Sequence, residues 1–537
     1  MGRRVKISAH FLFRLLIPFL AVFFNTAVSA QTVVTVIDSE SLRPLEGVII
    51  MSEPPEISAI TNSHGRAELG NTSDSTELIF RLLGYELFQL SMEDIRDAGN
   101  TVSLQPSRLS LEQVVISATR WNQVTTRLPQ KVASIKQADI QLHNPQTAAD
   151  LLGVNSQVFI QKSQQGGGSP MIRGYSANRL LYAIDGVRMN TAIFRSGNLQ
   201  NVISLDAMSI ASTEVLFGPG SVMYGSDAIG AVMDFRTIEP QMAAGENQLI
   251  SGSAAARFAS ANKEKTVHAH LNGGFSKWAF ISSFTFTDFD DLRMGKNGPD
   301  DYLRTFYVER QGDSDVVIDN PNPRLQIPSG YSQRNFMQKI RFKPGNSWDL
   351  QYAFHYSRIS EYDRYDRLIE LRNGIPRSAE WKYGPQKWDM HLFTAKHKRR
   401  EGFYDELAIR IYNQKFGESR IDRSFNDPVR RERIEQVDAY GMNLDFTERF
   451  GSRTTLNYGA EYVFNKVNSS GSGENIESGA RIGVPNRYPD SRWQSAAVYA
   501  LLQHEWTQDL FLQAGARYTY YSLYSDFSEN QPYLNLP

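Results

Sequence analysis

The sequence predicts a mainly β protein: a transmembrane antiparallel β-barrel, about half of it present, that follows an α/β domain and an N-terminal β-sandwich. Three observations support this fold class. From about residue 247 onward, apolar and polar residues alternate with a period of two, and the apolar faces are rich in aromatic residues. The connections between these segments alternate between tight turns and long polar stretches. The chain also begins with a segment typical of exported proteins.

The first 30 residues have the parts of a secretory signal peptide. Arg3 and its basic neighbours precede the apolar run Phe11–Phe24, and small residues lead to Ala30, so we expect cleavage after Ala30. The alternative is a membrane anchor. Arg14 and Pro18 interrupt the run, which is already shorter than the roughly 20 apolar residues of a spanning helix.

Composition excludes several classes of site. The 57 basic and 58 acidic residues nearly cancel, so the net charge gives no sign of a nucleic-acid partner. The chain has no cysteine, which excludes a lipid-anchored cysteine, disulfides, thiolate metal sites and cysteine catalysis. We expect no cofactor.

Residues 31–105 alternate and turn like a small β-sandwich. The segments are VVTVID, PLEGVII and LIFRLLGYELFQL, with the turn TNSHGRAEL between the last two. His64 lies in that turn, and no second ligand stands at metal-binding spacing. We therefore interpret His64 as a turn residue rather than a metal ligand.

A linker-like stretch follows at 106–120. It carries the β-prone run Val114-Val115-Ile116 between polar flanks, which is typical of an extended peptide that can add to the edge of another sheet. From the residues alone an ordinary short strand is the more frequent explanation of such a run, and only its context favours the other interpretation.

Residues 121–240 predict a compact α/β domain, with a helix over 147–155 and apolar strands in RLLYAIDG and STEVLFG. The three glycines at 166–168 precede Ser169-Pro170, whereas a phosphate-binding loop needs a following lysine. We predict a flexible loop here, with Arg173-Gly174 at the start of a strand and Asp185-Gly186 as the turn after the next strand.

Residues 241–537 predict the barrel. Trp278, Phe280, Phe284 and Phe286 share one face of a strand, as expected of a wall that meets lipid outside and water inside. An even strand count is usual, and an open edge in lipid leaves backbone groups unpaired, so the odd count predicts that the sequence is truncated. The eleven predicted strands are 248–258, 265–275, 277–289, 334–343, 347–359, 387–398, 404–416, 435–448, 454–466, 493–506 and 510–523.

The connections favour a membrane barrel over a secreted sandwich. Tight turns fall near 274–277, 344–347, 400–403, 450–453 and 507–509, and long polar segments at about 290–332, 359–385, 418–433 and 467–491. Outer-membrane barrels have short periplasmic turns and long extracellular loops.

Taken in order, these parts resemble a TonB-dependent outer-membrane receptor, in which the α/β domain is a plug folded inside the barrel. The motifs that carry the resemblance are Met171–Tyr175, Leu181–Val187 and Thr213–Met233. The N-terminal sandwich resembles a carboxypeptidase-regulatory-like domain, through Pro44–Val48, Asn62–Ala67 and Gly84-Tyr85.

The resemblance implies site residues and partners. The partners would be a TonB-type energy-transducing inner-membrane protein, outer-membrane lipid and a small extracellular ligand. The stretch that resembles the TonB box is Glu112, Gln113, Val114, Val115, Ile116, Ser117, Ala118 and Thr119. The plug-motif residues are Arg173, Gly174, Asp185, Gly186, Glu214, Gly218, Pro219, Gly220, Tyr224 and Gly225. Buried Arg173 or Glu214 would need partners.

The stretch 191–206 is similar to the plugs of iron and haem receptors, so an iron complex, a siderophore or haem, is the favoured ligand. Haem capture commonly uses histidine, yet none stands between Asn144 and Met233. Phe194 and Arg195, on a predicted outward plug loop, are candidate ligand contacts.

Other functions were weighed. No G-x-S-x-G or H-E-x-x-H pattern is present, so we predict neither an enzyme nor a metal site. Paired acids such as Asp290-Asp291 and Asp300-Asp301 are expected to be solvated loop charges. A passive porin would share the barrel but would not carry a plug. A surface receptor that binds or signals without import, and a fragment that does not assemble, remain alternatives.

Overall fold

The computed structural model describes residues 32–530, except 40, 53–57, 71–72, 74–75, 83–84, 106–113, 116–122, 125–127, 155–156, 163, 194–200, 244–247, 400–401 and 508–509, and also residue 532. The chain forms two compact units, one ending at residue 111 and the other beginning at residue 112. None of the helices in the described ranges has the length and apolarity needed to cross a membrane.

The N-terminal unit packs two small sheets around one apolar core. Its elements are β1 (Thr32–Asp38), β2 (Ile49–Ser52), β3 (Ser58–Ile60), β4 (Arg66–Leu69), β5 (Glu77–Arg81), β6 (Phe88–Ser91), α1 (Met92–Asp97) and β7 (Thr101–Leu104). The sheets have the orders β4-β1-β7 and β3-β2-β5-β6. Val36, Ile50, Phe80 and Ile95 are fully buried between them. The unit therefore has its own hydrophobic core.

The second unit begins with the predicted plug. Its elements are β8 (Val114–Val115), β9 (Gln123–Val124), β10 (Lys131–Lys136), α2 (Gln137–His143), α3 (Ala148–Gly153), β11 (Phe159–Gln161), β12 (Ser169–Ile172), β13 (Tyr175–Ser176), β14 (Leu180–Ile184), β15 (Val187–Arg188), β16 (Ile210–Phe217), α4 (Ser221–Tyr224) and β17 (Ala231–Thr237). The larger sheet has the order β10-β16-β17-β14-β15 and the smaller one β11-β12-β13. The predicted helix is present as α3, which begins where the Thr147 side chain accepts a hydrogen bond from the Asp150 amide.

The remaining strands are β18 (Leu249–Ala259), β19 (Glu264–Gly274), β20 (Trp278–Phe289), β21 (Leu292–Arg293), β22 (Phe306–Gln311), β23 (Ser314–Asp319), β24 (Leu325–Gln326), β25 (Tyr331–Phe342), β26 (Trp348–Ile359), β27 (Tyr362–Asp363), β28 (Leu371–Arg372), β29 (Ile375–Pro376), β30 (Ser378–Tyr383), β31 (Gln386–Lys398), β32 (Glu406–Ser424), β33 (Val429–Phe450), β34 (Thr454–Asn475), β35 (Arg481–Gly483), β36 (Asp490–Glu505) and β37 (Phe511–Asp526). A short helix, α5 (Tyr365–Leu368), lies among them.

Eleven of these strands form the continuous path of one large antiparallel sheet of 14 strands, and we call this path the wall. Among the described residues its order is β18-β19-β20-β25-β26-β31-β32-β33-β34-β36-β37, and its two end strands do not pair with each other. Each of the eleven predicted segments overlaps one wall strand. The predicted mainly β fold class is confirmed, because the period-two pattern specifies both the strands and their faces.

The two faces of the wall have the predicted character. On β20 the side chains of Trp278, Phe280 and Phe284 are exposed, whereas Ser283 and Thr285 are buried on the opposite side. The buried side packs on the plug: plug residues such as Phe235 and Val215 share one hydrophobic cluster with Trp388 of the wall. Aromatic residues therefore point outward and mixed residues point toward the plug, as in a barrel with a polar interior.

Two predicted loops are shorter than expected. Residues 418–424 and 429–433 continue β32 and β33, and residues 467–475 continue β34. The polar composition of these stretches suggested loops. They remain strands because their backbones stay paired in register and because Arg423 forms a buried ion pair with Asp315 of the β22–β23 hairpin, Nη1 to Oδ2, at 2.7 Å. The long-connection end of the wall therefore projects as a paired rim.

Candidate functional site

The plug motif at Asp185-Gly186 forms a tight turn between β14 and β15, as the sequence predicted. Both residues have positive φ, 49° and 81°, the backbone of a two-residue hairpin turn. A β-carbon at Gly186 would lie 2.9 Å from Nε of Arg410 on β32. Glycine at this position therefore serves both the turn and the close approach of the wall.

Asp185 joins the plug to the wall through a buried polar network. Its carboxylate accepts hydrogen bonds from the amide and hydroxyl of Thr237, at 3.0 and 2.8 Å. Nζ of Lys339 lies 3.1 Å away and Nε2 of His355 lies 3.3 Å away. Burial opposes ionisation of Asp185, but the Lys339 ammonium and the His355 contact hold its pKa well below the usual range.

We call Asp185, Lys339 and His355 the latch. Lys339 is fully buried and also contacts Glu239 of the plug at 2.7 Å, Nζ to Oε1. A buried lysine with two acidic partners is tolerated because each charge has an opposite neighbour. Displacing the plug from β25 and β26 would leave this lysine uncompensated.

A second contact between plug and wall involves α4, within the motif from Gly218 to Gly225. The carbonyl of Tyr224 accepts a hydrogen bond from Arg188 at 2.9 Å, and that of Met223 accepts one from Arg517 of β37 at 3.3 Å. Arg517 is itself paired with Glu461, Nη2 to Oε1, at 2.8 Å. Gly218 and Pro219 connect β16 to this helix, Gly220 is its N-cap, and Gly225 its C-cap.

Glu214 is buried in the middle of the plug sheet. It lies directly opposite Asp234 in the β16–β17 register, and Oδ2 of Asp234 is 2.5 Å from Nη2 of Arg236. Burial raises the pKa of Asp234 to about 6, with Arg236 opposing the shift and Glu214 adding to it. Two acids therefore share one neighbouring guanidinium at the centre of the plug.

One expectation for the glycine-rich stretch is wrong. Arg173 and Gly174 do not start a strand: they are the positive-φ turn between β12 and β13, because Arg-Gly can occupy a two-residue hairpin turn. Arg173 is exposed and lies over the ring of Phe217, so it needs no buried partner. The glycines at 166–168 lie in a loop, as predicted, and this loop is buried. A β-carbon at Gly166 would lie 3.2 Å from the ring of Tyr331.

A cavity of about 460 Å³ lies where this stretch meets the long-connection end of the wall. The plug contributes residues from the start of α3 and from the stretch before the glycines, and the wall contributes strand ends and loops. Its size falls within the range of small-ligand pockets. The lining includes Gln146, Thr147, Asp150, Lys162, Gln165, Asn262, Phe289, Tyr302, Tyr331, Tyr365 and Asp366. We call it the outer cavity.

Two buried polar atoms at the outer cavity have no hydrogen-bond partner among the described residues: Oε1 of Gln165 and the hydroxyl of Tyr331. Nε2 of Gln165 donates to the carbonyls of Asp290 and Ser329, at 3.0 and 3.2 Å, so the amide is held in place. Buried polar atoms are normally paired, so these two groups are candidate ligand contacts. The sequence did not predict them, because Gln165 and Tyr331 are far apart in the chain.

Several predicted site residues lie outside the described residues. These are Phe194 and Arg195 and, from the predicted TonB box, Glu112, Gln113, Ile116, Ser117, Ala118 and Thr119. The described part of that box, Val114–Val115, pairs with Gln123–Val124 as a two-residue antiparallel ladder. No cluster of three metal-ligating side chains is found within the described part of the chain.

Two protein-family models match the second unit. The TonB-dependent Receptor Plug Domain matches residues 125–232, and the Outer membrane protein beta-barrel family matches residues 403–536. The second unit therefore has the plug and barrel domains of a TonB-dependent receptor. The barrel match locates this receptor in the outer membrane.

Relatives of the receptor include a vitamin B12 transporter, BtuB, of Vibrio vulnificus (strain YJ016), which is 26% identical over 255 residues covering 47% of this chain and 36% of that protein. The hemin receptor of Yersinia pestis is 28% identical over 145 residues, 26% of this chain and 21% of that protein. The matches span about a third or less of the curated relatives' lengths. None of these relatives is named as an enzyme, which agrees with the prediction that the receptor is not one.

The fold of the receptor resembles that of the alcaligin outer-membrane receptor FauA from Bordetella pertussis, with a TM-score of 0.52 at 12% identity. The alignment covers 77% of this chain and 59% of FauA. At this identity the likeness concerns the plug-and-barrel architecture alone.

Proposed function

We propose that the receptor binds a scarce extracellular ligand at the outer cavity and imports it into the periplasm by energy-coupled movement of the plug. The observation that carries this proposal is the way the plug is held: beside the hydrophobic cluster that it shares with Trp388, polar contacts join it to the inner wall, and the buried latch is one of them. Such contacts are strong while paired but can be exchanged for water when the plug moves. A passive channel would have no use for a plug held in this way.

The energy source would be a TonB-type inner-membrane protein that grips residues 112–119. An added strand is held mainly by main-chain hydrogen bonds, so the grip depends little on side chains. The pairing of Val114–Val115 with Gln123–Val124 involves only two residues of each strand. A ladder this short can be exchanged for the edge of a partner's sheet at small cost.

The ligand is proposed to be an iron complex, as the sequence favoured. A haem ligand has less support, because no histidine is found among the described residues that line the outer cavity. The relatives are named for two different ligands, vitamin B12 and hemin.

The remaining assignments complete the proposal. Residues 1–30 are a signal peptide that is cleaved during export, 31–105 an accessory sandwich, 106–120 the linker, 121–240 the plug and 241–537 the partial barrel. The exposed aromatic face of the wall would contact outer-membrane lipid. Gly218, Pro219, Gly220, Tyr224 and Gly225 would position α4 against the wall during import.

The experiment is uptake of labelled ligand by cells that express variants in the TonB box. Val115→Pro removes one main-chain hydrogen-bond donor and disfavours strand addition. The matched control Val115→Ile keeps this donor and still allows strand addition. We expect Val115→Pro and deletion of 112–119 to abolish uptake but retain surface binding, and Val115→Ile to behave as wild type. If deletion of 112–119 leaves every function intact, the receptor binds or signals at the surface without import.

A further inference from the structure

The charged residues of the outer cavity are already paired. Nζ of Lys162 lies 2.5 Å from Oδ1 of Asp150, whose other oxygen accepts from Thr147 at 2.8 Å. Asp366 accepts two hydrogen bonds from Arg364, at 2.7 and 2.6 Å. Asp150, Lys162 and Asp366 are the charged members of the described lining. A ligand that enters therefore meets no uncommitted charge among the described lining residues.

The groups that remain available are neutral. Oε1 of Gln165 can accept a hydrogen bond, and the hydroxyl of Tyr331 can donate or accept one. Both side chains are more than nine-tenths buried, with exposed fractions of 9% and 4%. A ligand with matching donors and acceptors would satisfy two groups whose desolvation is otherwise uncompensated.

Aromatic rings supply the apolar surface. The rings of Phe289 and Tyr331 are 4.7 Å apart and tilted against each other, and Tyr302 and Tyr365 add two further rings to the lining. Such rings pack on the flat apolar face of a ligand whose edges form hydrogen bonds. An anionic ligand would instead be desolvated here, and no described lining residue offers it a free cation.

We propose that the outer cavity selects an uncharged ligand whose edge carries hydroxyl, amide or hydroxamate groups, and that it rejects anionic metal complexes. The inference rests on the proposed function, because it takes the outer cavity as the entry site for cargo. Among iron complexes, it favours the neutral ones. A neutral ferric hydroxamate, a corrinoid amide and an oligosaccharide share this chemistry.

The test is calorimetric titration of the purified full chain in detergent with five probes. The neutral probes are a ferric trihydroxamate, cyanocobalamin and maltohexaose, and the anionic probes are a ferric tricatecholate and haemin. We expect one neutral probe to bind at least tenfold more tightly than either anionic probe. The identity of that probe shows which of the three ligand classes the cavity takes. Tighter binding of an anionic probe, or no binding of any neutral probe, overturns the proposal.

Two variants test the residues. Tyr331→Phe removes only a hydroxyl that has no partner among the described residues, so the fold should be kept while affinity for the neutral probe falls about tenfold. The control Tyr352→Phe removes a hydroxyl on the outer face of the wall and should change nothing. Asp150→Asn keeps the start of α3 but releases Lys162, so it should gain affinity for the anionic probes. An unchanged affinity in both Tyr331→Phe and Asp150→Asn contradicts the assignment.

Failure of this inference is distinguishable from failure of the import proposal. Binding to the purified chain needs no energy source, whereas uptake does. If the receptor binds a neutral probe but cells do not take that probe up, the inference is supported and the import proposal is contradicted. If cells take up an anionic complex and this uptake depends on residues 112–119, the import proposal is supported and the inference is contradicted.

Discussion

At the scale of single residues, Lys339 brings a fully buried charge to the plug–wall contact. Its ammonium is fully buried between Asp185 and Glu239. Removing one partner of a buried pair is far more damaging than removing both, since an uncompensated charge stays behind. The sequence could identify Asp185 from its motif. It could not identify Lys339, because a lysine in a β-prone segment has no local pattern that marks a buried partner.

Lys339→Met should lower the free energy of unfolding by about 3–5 kcal/mol, because Asp185 would lose its cation in the interior. Denaturant titration in detergent, followed by tryptophan fluorescence, measures the change. The matched control is Lys343→Met, just beyond the end of the same strand, which removes a lysine 3.6 Å from Asp349 and 40% exposed. An exposed pair contributes at most about 1 kcal/mol. Equal losses in the two variants would show that the latch is not a stabilising contact.

At the scale of elements, the strands were predictable and their outer extensions were not. Period-two alternation fixed which faces of β20 and β26 point outward, because a one-residue slip would invert every side chain. The extensions of β32 and β33 are polar on both faces, so no period marked them. They depend on partners distant in sequence, such as Asp315 with Arg423. The outer cavity likewise depends on residues distant in sequence, because Gln165 and Tyr331 line one cavity only when the plug packs against the wall.

The connection between β26 and β31 should respond to pH through Asp363. Burial raises the pKa of Asp363 to about 7, with Lys382 opposing the shift and Glu361, Asp291 and Glu380 adding to it. The folded pKa lies above the unfolded value of about 3.9. The protonated form therefore contributes stability that is fully present below pH 4 and is lost as the pH rises through about 7.

Hydrogen exchange of residues 359–385 measures this response. We expect stronger protection at pH 5.5 than at pH 8.5 after correction for the intrinsic exchange rate. Asp363→Asn should show the same protection at both values, because an amide does not titrate. Asp366→Asn is the control within the same connection, and it should keep the pH dependence. Protection that rises with pH in the wild type contradicts the assignment.

At the scale of the whole molecule, one mixed domain rests against the inner face of a large sheet and meets it at several polar contacts. Its overall order was predictable, since the motifs and the alternating segments occur in series along the chain. The contacts were not, because each joins residues 70 or more positions apart, such as Ser209 with Ser283. The central claim is that the plug must move relative to the wall for cargo to pass.

The most direct test of that claim is a reversible tether between plug and wall. The hydroxyls of Ser209 and Ser283 are 2.9 Å apart, and the chain has no cysteine of its own, so Ser209→Cys with Ser283→Cys gives a single defined disulfide. We predict that oxidation abolishes uptake but leaves ligand binding unchanged, that reduction restores uptake, and that neither single variant responds. Full uptake by the quantitatively oxidised double variant would contradict the account.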